Sequence, residues 1–196
     1  MANNYLPLSI LVGLCTISGS CAADESCLVE QWSELALVDQ EVNQVFDRRH
    51  DISLNGERFS CNVYVTPSEV KSMLDQLHQL ARNDSTEQLA ELVGFPVEVF
   101  SDTTFVNDKG QVQFQSVVYR DKTSLVKGIG EVLPRSLKNI LTCARIDNVG
   151  VDTVNGFELG YGSIWINRTL ESRALKVVSF SINPQLASKW VDQNCS

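Results

Sequence analysis

The chain has 196 residues, a length that suits one domain, and it carries a formal charge of -8 with a pI near 4.7. This acidity argues against the phosphate backbone of a nucleic acid, or an anionic membrane surface, as the partner. A basic partner stays open.

Residues 1–23 contain no Lys, Arg, Asp or Glu, and an apolar stretch runs from Leu6 to Ile17. The stretch is too short to span a bilayer and is typical of a signal peptide. Small residues around Ala22 and Ala23 favour cleavage there. The mature protein is therefore expected to be periplasmic or secreted.

Cys21 allows a second interpretation of the leader, in which it becomes the lipidated first residue of an envelope component. Ser18 stands where a lipoprotein signal normally has leucine, so we favour simple cleavage. No later apolar run is long enough for a transmembrane span.

Four cysteines remain after cleavage, an even number that predicts two disulfide bonds in an exported chain. A helix from Cys27 to about Phe46 rises about 1.5 Å per residue, and an extended return covers a similar span at about 3.3 Å per residue. We therefore pair Cys27 with Cys61 and, by elimination, Cys143 with Cys195. Free thiols would require the leader to have another role, and no Cys-x-x-Cys spacing supports a redox motif.

The first predicted element is an amphipathic helix from about Ser26 to Asp47, in which apolar residues keep helical spacing. Asn55-Gly56 then predicts a hairpin between Ile52–Leu54 and a strand over Phe59–Val65.

The most specific local pattern is a helix that begins at Thr66-Pro67-Ser68-Glu69, a capping box with proline at the first helical position. Its predicted buried face consists of Val70, Met73, Leu74, Leu77, Leu80 and Ala81. Ser85 with Gln88 starts a second, short helix that stops at Gly94, before a strand over Val97–Phe100.

The middle of the chain predicts a hairpin or decorated strand edge around the turn Asn107-Asp108-Lys109-Gly110. Helix resumes in two pieces, one capped by Asp121 and one beginning at Pro134.

From Ala144 onward the pattern is strand-like. Asn155-Gly156 predicts a hairpin between Ile146–Val154 and Phe157–Ile166, with positive φ at both central residues. A last strand over Leu175–Ile182 lines up Val178, Phe180 and Ile182, and a terminal turn or helix carries Trp190. With no repeat or linker, we treat residues 24–196 as a single α+β domain.

The phrases Leu92–Val99, Asn148–Val151, Asn155–Ile166 and Leu175–Asn183 resemble small exported bacterial proteins of unknown function, which look like members of the nuclear transport factor 2-like, cystatin-like superfamily. The resemblance covers roughly residues 66–183. It implies a curved antiparallel sheet wrapped around helices as a cone, with a concave pocket. Ser26–Val65, with its extra helix and hairpin, and the two disulfides look like additions to that core.

If a pocket exists, polar and aromatic strand residues on the concave face are its candidates: Tyr119, Asp147, Asp152, Glu158, Tyr161 and Trp165. A buried carboxylate among them is able to act as an acid or base. No metal-ligand spacing, dinucleotide loop or nucleophile elbow is present, so we assign no catalytic residue, no metal and no cofactor.

We therefore predict an exported, non-enzymatic protein that recognises another protein, as an inhibitor or immunity protein in the periplasm. The sequence leaves two alternatives: a small-ligand carrier or enzyme that uses the cone pocket, and a lipid-anchored envelope component. It does not predict the oligomeric state.

Overall fold

The computed structural model describes residues 25–37, 42–106, 112–169 and 173–195. Within these residues the chain forms an α+β fold with one mixed sheet. The predicted signal peptide (1–23), the anchor at Cys21 and the turn over Asn107–Gly110 lie outside the described residues and stay predictions.

The helices are α1 (Glu25–Ala36), α2 (Gln44–His50), α3 (Phe59–Asn62), α4 (Pro67–Asn83), α5 (Thr86–Leu92), α6 (Lys122–Ile129), α7 (Arg135–Cys143) and α8 (Pro184–Asn194). The strands are β1 (Val93–Val106), β2 (Val112–Tyr119), β3 (Gly150–Asp152), β4 (Gly156–Leu159), β5 (Ile164–Arg168) and β6 (Leu175–Ile182).

The six strands are ordered β2-β1-β6-β5-β4-β3, so the sheet is open, with β2 and β3 at its edges. Neighbouring strands are antiparallel except β1 and β6, which run parallel. The expectation of a purely antiparallel sheet is therefore wrong at this pair. The long connection from β1 to β6, through α6, α7 and four strands, is the kind of crossover that parallel neighbours require.

The capped helix is confirmed as α4 and forms the centre of the core. Thr66 Oγ1 accepts a hydrogen bond from Glu69 N–H, and the Glu69 carboxylate accepts one from Thr66 N–H at 2.9 Å. The six apolar residues predicted for its buried face are each at most 3% exposed. They pack with α7 and with one side of the sheet in a single apolar cluster.

The single first helix is wrong, because the chain forms two helices, α1 and α2. Trp32 Nε1 donates a hydrogen bond to Asp47 Oδ2 at 2.7 Å. In a continuous helix these residues would lie about 22 Å apart along the axis, since the rise is about 1.5 Å per residue. The bond therefore places α2 against α1, and Asn43 caps α2 by accepting from Phe46 N–H.

The predicted strand over Phe59–Val65 is also wrong, because its first residues form the short helix α3. The buried Asp51 carboxylate accepts from Ser60 N–H at 2.9 Å and from Ser60 Oγ at 2.7 Å. These local polar contacts outweigh the β propensity of the segment, and only one β-bridge, Ile52 to Arg58, remains of the predicted hairpin.

The Asn155-Gly156 hairpin is present, but its turn differs from the predicted type. Asp152 pairs with Gly156, which leaves three residues in the turn, and only Gly156 has a positive φ. Asp152 Oδ1 accepts from the N–H groups of Val154 and Asn155 and so supplies the turn geometry with its side chain.

Two long predicted strands are shorter than expected. Ile146–Asn148 is a 3-10 turn rather than strand. The predicted strand over Phe157–Ile166 is split into β4 and β5 by a turn in which Gly160, Tyr161 and Gly162 all have positive φ. Tyr161, which was expected on the face of a strand, therefore belongs to this turn.

Strand β6 has the predicted bounds but a different buried face. Trp165 pairs with Ser179 and Ile166 pairs with Val177, so Val178 is an extra residue in a β-bulge. The bulge shifts the alternation, and Val177 and Phe180 are the residues buried in the core.

The cysteines form the two pairs that the sequence favoured, Cys27 with Cys61 and Cys143 with Cys195, each with Cα atoms 5.2 Å apart. The route differs from the predicted one, because α1 meets the helix α3 rather than the end of a returning strand. Disulfide pairs fit an oxidising compartment.

Candidate functional site

A continuous row of side chains crosses the whole sheet. Strand register places Glu158 opposite Trp165, Trp165 opposite Ser179, and Ser179 opposite Glu98. Gly150 and Val118 extend the row to the two edges. No two of its members are adjacent in the sequence, so only the pairing of strands brings them together.

The row lies on the side of the sheet that faces away from the core. Successive strand residues point to opposite faces, and the neighbours of Glu158 and Trp165 in their strands are buried in the apolar cluster: Phe157, Leu159, Ile164 and Ile166. The outward side chains of the described strands stay partly or largely exposed. We call this surface the open face and define it by Glu98, Phe100, Val118, Asp152, Glu158, Trp165 and Ser179.

The Glu158 carboxylate lies against Gly150 and Gly162, beside the Trp165 indole. A Cβ atom at Gly150 would stand 2.8 Å from Glu158 Oε1, and one at Gly162 would stand 3.2 Å from Glu158 Oε2 and 3.5 Å from Trp165 Nε1. A larger residue at Gly150 would displace the carboxylate. Among the described residues, no group donates a hydrogen bond to this carboxylate, so its acceptor oxygens are available.

Burial raises the pKa of Glu158 above its ordinary value, and the negative charge of Asp152 adds to the effect. The pKa of Asp152 is lowered, because the N–H groups of Asn155 and Val154 donate to its carboxylate. Two carboxylates on one face thus titrate in different ranges, and both become more stable as anions beside a bound cation.

At the β1 end of the row, a carboxylate again lies near an aromatic side chain. Glu98 accepts a hydrogen bond from Ser116 Oγ at 2.6 Å, and Phe100 lies two residues further along the same face of β1. The open face therefore combines aromatic and aliphatic side chains with carboxylates. Such a surface suits a partner that supplies apolar groups and positive charge.

Three predicted site residues lie elsewhere. Tyr119 ends β2 with its ring against Gly128 of α6. Asp147 is exposed beside His50, whose Nδ1 lies 3.7 Å from Asp147 Oδ1. Tyr161 donates from its hydroxyl to Gln193 of α8. Of the six predicted residues, Asp152, Glu158 and Trp165 are brought together, but on the face of the sheet that points away from the core and not in a pocket between the sheet and the helices.

The sequence analysis missed Glu98, Phe100 and Ser179. Glu98 alternates with the buried Val97 and Val99, and this alternation was a signal that it faces away from the core. Nothing in the sequence indicated that β1 lies beside β6, so the row itself could not be predicted.

Two grooves lie away from the open face. One, of about 430 Å³, is lined by α4 and the start of β6, and Arg168 Nη2 contacts both carboxylate oxygens of Glu69 at 2.8 Å beside it. The other, of about 910 Å³, lies between α5 and α6, where Lys122 is ion-paired with Glu87 and Glu91. The Lys122 ammonium lowers the pKa of Glu91.

In the part of the chain that the structure describes, no group of three or more His, Cys, Asp or Glu side chains has the geometry to hold a metal ion. No described helix combines the length and apolar character needed to cross a bilayer. No protein-family model, curated protein or solved structure matches the chain.

Proposed function

We propose that this chain is an exported, non-enzymatic binding protein that recognises another protein through its open face. One observation carries the proposal: the row from Glu158 through Trp165 to Glu98 lies on the side of the sheet that faces away from the core, where its side chains stay partly exposed. A half-buried tryptophan at the centre of an exposed surface is typical of the residues that dominate binding energy in protein interfaces.

The charge of the open face indicates the kind of partner. Asp152, Glu158 and Glu98 are carboxylates on this face, and the chain as a whole carries -8. A basic protein surface with a protruding apolar or cationic side chain complements it, because charge complementarity steers association and excludes acidic partners. In this proposal the chain acts on such a basic partner as an inhibitor or immunity protein in the periplasm.

A small-ligand carrier is the second candidate, and the groove of about 430 Å³ beside α4 favours it. Ligand sites are concave and largely apolar. Glu69, Arg173 and Lys176 line this groove together with serines and glutamine, so it is more polar than most such sites.

The export route and the finer shape of the fold belong to the same proposal. The leader would be removed near Ala22 or Ala23, with lipidation at Cys21 as the alternative, and labelling with palmitate distinguishes the two. A sheet curved around helices as a cone, as the resemblance to the nuclear transport factor 2-like superfamily implies, is supported by helices that pack on one side of the sheet.

Affinity capture tests the proposal. The mature, oxidised protein is used as bait in an envelope extract of its source, in parallel with Trp165→Ala, Glu158→Gln and a control, Val154→Ala, at an exposed turn. We expect one stoichiometric protein on the wild type and the control, and a loss of about tenfold or more in affinity for Trp165→Ala.

Two results would count against recognition by the open face. One is full retention of the partner by both face variants. The other is a small molecule that co-purifies with the wild type while no protein is captured, which would favour the carrier.

A further inference from the structure

In the described part of the chain, the two edge strands of the sheet differ in whether another segment bonds to their main-chain groups. At β3, Asn55 Nδ2 donates to Val151 O at 2.7 Å and Asn55 Oδ1 accepts from Val151 N–H at 3.0 Å. Leu54 N–H donates to Val149 O at 2.8 Å. A single carboxamide thus satisfies both main-chain groups of Val151, and the loop covers this edge.

Strand β2 forms the opposite edge, and no described strand lies beyond it. It has eight residues, Val112–Tyr119, without a charged residue, proline or glycine. Val117 and Val118 point to opposite faces and are 47% and 56% exposed. Edge strands are normally protected by charge, proline or a covering segment, and an edge strand that lacks charge and proline is a template for another strand.

We propose that β2 pairs antiparallel with β2 of a second copy of this chain, so that two six-stranded sheets become one. The outward main-chain N–H and C=O groups of each β2 bond to those of the other.

The absence of charge on β2 suits a second copy as the occupant. Each chain carries -8, so two copies repel over most of their surfaces. The segment Val112–Tyr119 is neutral, so two copies approach through it without like charges directly opposed. A strongly basic partner strand gains no ion pair there.

Symmetry makes the pairing self-limiting. Antiparallel pairing of identical strands places a two-fold axis perpendicular to the sheet, and such an isologous contact closes at two copies. The axis keeps the open faces of both copies on the same side, so the dimer presents two Trp165 side chains to one partner surface, which raises avidity without a new contact.

Sedimentation velocity across a concentration series tests the proposal on the mature, oxidised protein. We expect a reversible dimer for the wild type and for Val154→Lys, which adds the same charge at an exposed turn far from β2. Val117→Lys is expected to weaken association by about tenfold or more, because it places like charges on the paired edges. Gln115→Lys, at a second exposed position of β2, is expected to weaken it as well.

Thermal melts identify any variant that fails to fold. If one of the two lysine variants of β2 is unfolded, the sedimentation of the other one tests the proposal. A wild type that stays monomeric throughout the series overturns the proposal. So does a dimer that survives both lysine variants, or one abolished by Trp165→Ala, because that dimer would use the open face and not the edge.

Discussion

Asp47 shows how one side chain organises the helices before the sheet. It is fully buried, and its carboxylate accepts from Trp32 Nε1 of α1 and from Ser68 N–H and Oγ at the start of α4. Three elements therefore meet at two oxygen atoms.

Asp47→Ala is expected to destabilise the fold by about 2–5 kcal/mol, because it leaves the buried Trp32 Nε1 and the partly buried Ser68 N–H and Oγ without their acceptor. Urea unfolding followed by circular dichroism measures the change. The control is Asp75→Ala, which removes only an exposed ion pair with Lys71 and should cost about 1 kcal/mol or less. Equal losses for the two variants would contradict the role given to Asp47.

Glu158 gives a pH dependence whose sign follows from its environment. Its pKa is raised in the folded chain by burial and by Asp152. The folded state therefore binds the proton more tightly than the unfolded state does, and this contribution to stability is complete below the unfolded pKa of about 4.3. This contribution is lost as pH rises through the pKa that Glu158 has in the folded chain.

Replacement by glutamine removes this dependence. We expect Glu158→Gln to gain stability relative to the wild type as pH rises from acid toward neutrality, and to show little difference in acid. Unfolding midpoints in urea at a series of pH values measure the gain. Glu30→Gln, on an exposed part of α1, serves as the control and should follow the wild type. A stability gain of Glu158→Gln over the wild type that grows as pH falls would refute the raised pKa of Glu158.

At the scale of elements, the edge of β3 depends on Asn55. Asn55→Ala is expected to cost about 1–2 kcal/mol, because Val151 loses a donor and an acceptor at a partly buried edge. Hydrogen exchange should show faster exchange of the Val151 amide. Asn83→Ala, which removes only an exposed bond to Gln88, is the matched control. An unchanged Val151 amide would mean that water or another group protects this edge.

Elements with complete local signals were predictable from the sequence. Thr66 to Glu69 contains its own cap, proline and charge, so α4 forms where the sequence indicates. The bounds of β6 were equally local. The break between α1 and α2 depends on the contact of Trp32 with Asp47, and the helix α3 depends on Asp51. Contacts between residues distant in sequence override propensity at these places.

The candidate site was predictable only in part, for the same reason. Glu158 and Trp165 were identified by residue type and by their strands, but their shared face was not, because the turn at Gly160–Gly162 separates β4 from β5 and places Trp165 opposite Glu158. Ser179 and Glu98 joined the site through the parallel pairing of β1 with β6. Residue type is local information, whereas register is a property of the whole sheet.

At the scale of the molecule, the two disulfides hold the periphery to the core. Cys27–Cys61 ties α1 to α3, and Cys143–Cys195 ties the end of α7 to the end of α8. Replacement of either pair by alanines is expected to cost about 2–5 kcal/mol, because each closes a loop of several tens of residues. Urea unfolding measures the loss. Non-reducing peptide mapping that joins Cys27 to Cys143 or Cys195 would contradict this pairing.

The central claim is that the open face is where a partner protein binds. Photo-crosslinking tests it most directly, with a benzophenone amino acid placed at Ser179, in the middle of the row, and in parallel at Lys71 on the exposed side of α4. In intact cells of the source, we expect a covalent adduct with one protein from position 179 and none from position 71. Equal adducts from both positions, or an adduct from position 71 alone, would contradict recognition by the open face.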